Sequence, residues 1–317
     1  MATQVARDRY LDMLATAFGP EIMKLMDDDS VIEIMLNPDG RLWAERLYKG
    51  KANTGIRIPP ERSENIVKLV ASYKNEVASA NNPSVSTEIP FKSARFQGWL
   101  PPVVQKPTFA IRKRAVHVFT LEDYLKSGAL TPEAMAHLKE AVLARKNIVI
   151  VGGTGTGKTT FANALLALLK DCENRILVLE DLPELQIEAP DVVLMSSTPK
   201  VTMRDLVKGC LRMRPDRIII GEVRDGAALE LLKAWNTGHP GGMCTIHANS
   251  AESTPLRLED LIQEVVITVP RNLILQAVNL IVFIERNAQG NRCIKTIAEL
   301  DGYENGQYKF RYLLQQE

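Results

Sequence analysis

Gly152-Gly153-Thr154-Gly155-Thr156-Gly157-Lys158-Thr159 follows the apolar run Ile148-Val149-Ile150-Val151 and precedes a helical pattern from Thr160 to Lys170. A glycine, four residues and Gly-Lys-Thr, set between a buried-strand signal and a helix, form the phosphate-binding loop pattern. Glycines let successive backbone N–H groups turn inward as an anion-binding nest, and the helix behind points the positive end of its dipole at the same place. Lys158 is then placed for the β- and γ-phosphates, and the Thr159 hydroxyl for magnesium. A glycine-rich turn that merely closes a strand is the plain alternative, but it leaves the complete pattern and its setting unexplained. The expected cradle for a nucleoside triphosphate is Gly153, Thr154, Gly155, Thr156, Gly157, Lys158, Thr159 and Thr160.

Three later segments carry further chemistry. Leu177-Val178-Leu179-Glu180-Asp181 is an apolar strand ending in two carboxylates, with Glu184 nearby. Arg217-Ile218-Ile219-Ile220-Gly221-Glu222 again delivers a carboxylate at a strand end. Gly238 to His247 is a tight turn and short strand carrying two of the four histidines, His239 and His247. In a parallel sheet the loops at the carboxyl ends of the strands line one crevice. Triphosphate hydrolysis needs a magnesium site, a group that orients water and a sensor of the γ-phosphate, roles that carboxylates and a histidine can fill. Taken singly, these residues also read as helix caps, loop charges or hydrogen-bonded turn histidines. Their occurrence in order, after a complete phosphate loop, favours the chemical reading.

The elements that must position these groups fall into two textures. The 317 residues exceed what one compact core usually holds. Up to about residue 118 the pattern is mixed α+β. A helix to Met26 is interrupted at Gly19-Pro20, and a hairpin follows, with Val31 to Leu36 and Arg41 to Leu47 around Asn37-Pro38-Asp39-Gly40. A helix over Glu61 to Ala78 precedes short strands at Arg95 to Leu100 and Thr108 to Arg112. From about Phe119 strands and helices alternate: strands at 147–152, 175–180, 192–195, 217–221 and 243–247, helices at 158–170, 202–213 and 225–237. Thr131-Pro132 reads as an N-cap with proline at the first helical position. Leu273 to Ile284 and a turn at Asn287–Asn291 predict a closing helix and a terminal antiparallel strand set. Continuous apolar runs such as Ile218-Ile219-Ile220 fit a parallel sheet buried on both faces. The net charge of +1 points to neither a nucleic-acid nor a membrane-surface protein. Four scattered cysteines argue against structural zinc and a disulfide framework. With no leader-like opening and no unbroken apolar span, a soluble cytoplasmic protein is expected.

The boxes together resemble the secretion and traffic ATPases of type II and type IV systems, a hexameric RecA-like family. Gly152–Thr160 is similar to its Walker A box, Leu179-Glu180-Asp181 with Glu184-Leu185 to its Asp box, Leu211 to Arg224 to its Walker B box and Gly238 to Asn249 to its His box. Gly221 stands where most P-loop ATPases carry Asp, in keeping with this family. No cysteine-bound zinc insertion is present. Asn37 to Trp43 and Arg95 to Lys113 look most like the TrbB-type conjugal transfer ATPases. The resemblance implies a RecA-like P-loop ATPase domain (131–317) behind a smaller α+β, PAS-like domain (1–118), joined by a linker (119–130) whose Phe119–Tyr124 borders the adenine. It implies ATP and Mg2+ as cofactors, with metal ligation by Thr159, Asp181 and Glu222. It also implies catalysis by Lys158, Glu222 and Glu180, arginine fingers Arg95 and Arg112, and a γ-phosphate sensor left open between His239 and His247. Arg112-Lys113-Arg114 reads otherwise as a solvated strand end, or as a nucleic-acid patch too small to neutralise many phosphates.

The expected function is the motor of conjugative type IV secretion: a homohexamer at the cytoplasmic face of the inner membrane, peripheral to it, with inner-membrane secretion components as partners and no direct need for nucleic acid. A type IV pilus retraction motor shares all four boxes. A DNA-translocating RecA-like helicase and a nucleotide-gated scaffold are readings of other classes, the last disfavoured by intact Lys158 and Glu222.

Overall fold

The computed structural model describes residues 2–47, 49–114, 118–287 and 292–316, with side chains from Arg9 onward. It divides into two compact units, Met1–Val116 and His117–Glu317.

Among the described residues, the first unit holds α1 (Ala2–Asp27), β1 (Val31–Leu36), β2 (Arg41–Arg46), β3 (Gly50–Arg57), α2 (Pro60–Tyr73), β4 (Ser84–Ile89), β5 (Ala94–Trp99) and β6 (Thr108–Arg112). The strands form one antiparallel sheet in the order β3-β2-β1-β6-β5-β4. The expected break in α1 is a kink at Gly19 (φ 60°) before Pro20. The β1–β2 hairpin closes where expected, Gly40 donating to the Asn37 carbonyl at 2.9 Å with φ 80°. The helix expected to Ala78 stops at Tyr73, just before Asn75 takes φ 58°. β3 and β4 were not expected. In β4, Val85, Thr87 and Ile89 alternate inward, a two-residue period that a short polar strand barely displays.

The second unit holds α3 (Leu121–Lys126), α4 (Pro132–Leu143), β7 (Ile148–Val151), α5 (Lys158–Leu166), β8 (Ile176–Glu180), β9 (Val192–Ser196), α6 (Met203–Cys210), β10 (Arg217–Ile220), α7 (Ala227–Asn236), β11 (Met243–Ile246), α8 (Thr254–Gln263), α9 (Arg271–Ala277), β12 (Leu280–Arg286), β13 (Arg292–Glu304) and β14 (Gln307–Gln315). Its sheet runs β14-β13-β12-β7-β11-β10-β8-β9. The strands from β12 to β9 are parallel, and β13 and β14 close the sheet antiparallel. Alternation explains the apolar runs. Ile148 and Ile150 face one core, shared with Leu138 of α4 and Phe161 of α5, while Val149 and Val151 face another, shared with Leu232 of α7 and Leu261 of α8. Each such side chain contributes roughly 1.5–3 kcal/mol by leaving water. Part of the stretch expected as a linker, 119–130, folds as α3, and its Leu121 and Tyr124 are buried in this unit's core. The helices expected at 158–170 and 202–213 end sooner, in 3-10 turns at Ala167–Leu169 and Leu211–Met213. The turn expected over 287–291 lies, from residue 288 on, outside the described residues.

Candidate active site

Parallel pairing sends the ends of five strands to one edge of the second unit's sheet. β7 runs into the glycine-rich loop, β8 ends on Glu180, β10 leads to Gly221-Glu222, β11 to His247, and β12 ends on Arg286. The phosphate loop, Glu180, Glu222 and His247 thus share the edge on which the sequence predicts them, and Arg286 joins them there.

The loop is shaped as a cradle. Gly155 (φ 72°) and Gly157 (φ 100°) take left-handed conformations, and Gly157 caps the N-terminus of α5. Side chains larger than hydrogen strain such backbones. Thr156 braces the loop from within, its Oγ1 donating to the Gly153 carbonyl at 3.0 Å. Lys158 is buried and donates from Nζ to the Gly152 and Gly153 carbonyls at 3.0 and 2.9 Å. Thr159 and Thr160 lie in the first turn of α5, at its positive end.

His247 connects this lysine to the carboxylate of β10. Its Nδ1 lies 3.2 Å from Lys158 Nζ and its Nε2 lies 3.0 Å from Glu222 Oε1. An ammonium only donates and a carboxylate only accepts, so the neutral Nε2–H tautomer satisfies both contacts. Burial and the Lys158 charge hold the imidazole below its ordinary value, against the pull of Glu222. Glu222 is the mirror case. Burial alone would raise its carboxyl, but the Arg224 hydrogen bond and charge, with His247 and Lys158, outweigh that and lower it. Arg224 donates from Nη2 to Glu222 Oε2 at 2.6 Å, and its Nη1 stands 3.7 Å from Asp181 Oδ2. Asp181 Oδ1 accepts from Ser197 Oγ at 2.6 Å.

The other expected residues fall in different places. Glu180 is buried, and its Oε1 accepts from the backbone N–H groups of Glu184 and Leu185, each at 2.9 Å. Those two bonds anchor the loop that follows β8. His239 lies at the amino-terminal edge of the sheet, where Nδ1 donates to the Pro215 carbonyl at 2.8 Å. The strand β11 separates it from His247, and only His247 reaches Lys158 and Glu222. Arg217, which sequence reading left aside, is buried at the same amino edge and ties the Val142 and Gly241 carbonyls to Asn174.

Arg95 and Arg112 belong to the first unit, where they are register partners across β5 and β6, with Glu33 opposite Arg112 on β1. Lys113 breaks the basic cluster expected beside them. It is buried, its Nζ donating to the Asp28 carbonyl at 2.6 Å, and burial lowers its pKa. Three adjacent charges in sequence are not three charges on one face, because Lys113 turns inward just past the end of β6.

The donors at the carboxyl edge fit a magnesium nucleotide. Among the described residues no three His, Cys, Asp or Glu side chains cluster to hold a metal alone. Magnesium takes one or two protein oxygens and completes its shell with phosphates and water, which Thr159 beside the loop and Glu222 can satisfy. Sequence reading gave Arg224 no role and missed Arg286, whose place depends on strand register.

Residues 74–300 match the family described as type II/IV secretion system protein. The conjugal transfer protein TrbB of Rhizobium radiobacter is 43% identical over 311 residues, spanning 98% of this chain and 96% of that protein. The type IV secretion system protein VirB11 of Bartonella henselae is 32% identical over 298 residues, with 81% and 83% covered. The crystal structure of the VirB11 ATPase of Brucella suis, in complex with sulphate, superposes with a TM-score of 0.50 at 26% identity, covering 93% of this chain and 96% of that one. The pilus retraction motor PilT with bound ADP shares the fold, with a TM-score of 0.61 at 17% identity over 94% and 83%. With its phosphate loop, its carboxylate edge and its match across residues 74–300, the chain belongs to the type II/IV secretion system protein family, on a RecA-like α/β fold behind a smaller α+β unit.

Proposed function

We propose that this chain is the ATP-hydrolysing motor of a conjugative type IV secretion system. It acts as a homohexamer at the cytoplasmic face of the inner membrane, with that system's inner-membrane components as partners. The contact chain Lys158–His247–Glu222 carries the reading, since it couples the phosphate-binding lysine to the carboxylate that would orient water. Loop N–H groups and Lys158 hold the phosphates, His247 senses the γ-phosphate through Lys158, and Glu222 orients the attacking water. Thr159, Glu222 and Asp181 would hold magnesium, which would neutralise charge on the phosphate oxygens. Similarity to TrbB over nearly the whole chain supports conjugation over pilus retraction. No helix among the described residues is long and apolar enough to cross a membrane.

The test is complementation of a deletion strain with the natural chain and with Lys158→Ala, scoring plasmid transfer and twitching, beside magnesium-dependent ATP hydrolysis by the purified proteins. Restored transfer by the natural chain alone, with hydrolysis lost in Lys158→Ala, is expected. Restored twitching without transfer, or hydrolysis that survives Lys158→Ala, would overturn the proposal.

A further inference from the structure

One residue of β11 holds the backbone on both sides of Glu222. The paired register of β10 and β11 ends at Ile220 and Cys244. One residue further, Gly221 still donates its N–H to the Leu179 carbonyl on β8 at 2.9 Å, but its carbonyl accepts from Thr245 Oγ1 on β11 at 2.7 Å. Val223 then donates its N–H to the Thr245 carbonyl at 2.9 Å. The hydroxyl and the carbonyl of Thr245 therefore bracket Glu222 from the residue before it and the residue after it. Downstream, Gly226 donates its N–H to Glu264 Oε2 at 3.1 Å, which ties the same segment to α8.

Thr245 also faces the other half of the site. It is the register partner of Ile150 on β7, two residues before the Gly152 that opens the phosphate loop. Two residues further along its own chain, His247 reaches Lys158 Nζ at 3.2 Å and Glu222 Oε1 at 3.0 Å. One strand position thus fixes the loop that would hold phosphate relative to the carboxylate that would hold water. Burial alone does not call for threonine there. Thr245 is 2% exposed, and the buried strand positions beside it on β7 are Val149, Ile150 and Val151. A β-branched apolar side chain suits such a place equally well. What threonine adds is a hydroxyl, and a hydroxyl so far from water needs a protein partner, here the Gly221 carbonyl.

We infer that Thr245 is a positioning residue for hydrolysis, setting the place of the Glu222 carboxylate through the backbone that carries it. The inference rests on the reading of Glu222 as the group that orients water. Thr245 touches neither nucleotide nor water in this account, so its effect falls on kcat and leaves ATP binding in place.

The experiment compares the natural chain, Thr245→Val, Thr245→Ser, Glu222→Gln and the Thr245→Val/Glu222→Gln pair, measuring steady-state hydrolysis and ATP binding by calorimetry. Valine keeps the branched shape and removes the hydroxyl; serine keeps the hydroxyl and removes the methyl. Thr245→Val should lower kcat about tenfold or more, toward the ~10²-fold that a misplacement of about 1 Å costs, with ATP affinity within about threefold. Retained ATP binding is also the check that the variant is folded. Thr245→Ser should keep kcat within about threefold of the natural chain. In the Glu222→Gln background, Thr245→Val should change the residual rate by less than about threefold, because the group it positions is already gone. Unchanged kcat in Thr245→Val would overturn the inference, as would an equal loss in both backgrounds or a serine variant as slow as valine. A Glu222→Gln protein that hydrolyses ATP at the natural rate would instead overturn the reading of Glu222 beneath it.

Discussion

A Cβ on Gly221 would stand 2.9 Å from the Cγ of Glu180 and 3.0 Å from its Oε1. The two residues come from neighbouring parallel strands, β8 and β10, where Leu179 pairs with Ile220. This contact is a physical reason for glycine before Glu222, where many phosphate-loop enzymes carry Asp: the Glu180 side chain fills the space. Glu180 cannot swing away cheaply, since two backbone N–H groups of the following loop hold its carboxylate.

Gly221→Ala should therefore overpack the site and cost about 1–3 kcal/mol. In a unit of this size that lowers the melting temperature by roughly 2–4 °C for each kcal/mol. Glu180→Ala should cost stability on its own by removing the acceptor of two backbone N–H groups, that of Leu185 buried. The double variant should lose less than the sum, because the clash is gone. Melting curves for the four proteins decide it, and strict additivity would show that the two side chains do not compete for space.

Turnover should fall on acidification below the ordinary histidine value of 6.5. His247 is held below that value, so the folded protein binds its proton less readily than the unfolded chain. Stability from this group is complete above the ordinary value and is lost as pH falls through the lowered one. Protonation also removes the Nδ1 acceptor that faces Lys158. His247→Asn should lower the rate and flatten the acid limb of the pH–rate profile. An unchanged acid limb in that variant would free His247 from the assignment.

Arg224→Ala should move the acid limb in the opposite sense. Without the guanidinium its hydrogen bond and charge no longer oppose burial, so the Glu222 carboxyl rises from its lowered position and protonation begins at a higher pH. Loss of the 2.6 Å contact should cost about tenfold in kcat, or ~1.4 kcal/mol, with ATP affinity nearly kept. A large loss of affinity with kcat intact would make Arg224 a nucleotide ligand instead.

The paired arginines of the first unit are tested by salt. If Arg112 acts on the γ-phosphate, Arg112→Ala should slow hydrolysis by about 10³-fold or more with modest loss of binding. Arg112→Lys should recover little, because a point charge does not reproduce the planar fork. A loss under about threefold, or one removed by added salt, would mark an ordinary surface charge.

The parts of the site written in contiguous residues were legible in the sequence. The loop after β7 and the strand ends at Glu180 and Glu222 follow from apolar runs and glycine spacing. His239 and His247 illustrate the limit. Eight residues apart, they flank one strand, and only the direction of β11 puts His247 at the carboxyl edge. Glu180 looked equivalent to Glu222 because its capture by the backbone of residues 184 and 185 is a folded-state contact. Arg286 was invisible because its place beside the loop depends on the β7–β12 register. α3 is too short, at six residues, to show a helical period, and its Leu121 and Tyr124 gain burial only from distant partners. Lys113 sat within a run of three basic residues, where nothing signals that its Nζ turns inward to Asp28.

The most direct measurement is Glu222→Gln, with ATP binding and steady-state hydrolysis measured on the same preparation. The amide keeps the size of the side chain and leaves Lys158 and the loop intact, but it removes the carboxylate that would orient water. Binding within about threefold of the natural chain and a rate lower by about 10²-fold or more are predicted. A Glu222→Gln protein that hydrolyses ATP at close to the natural rate would contradict the account.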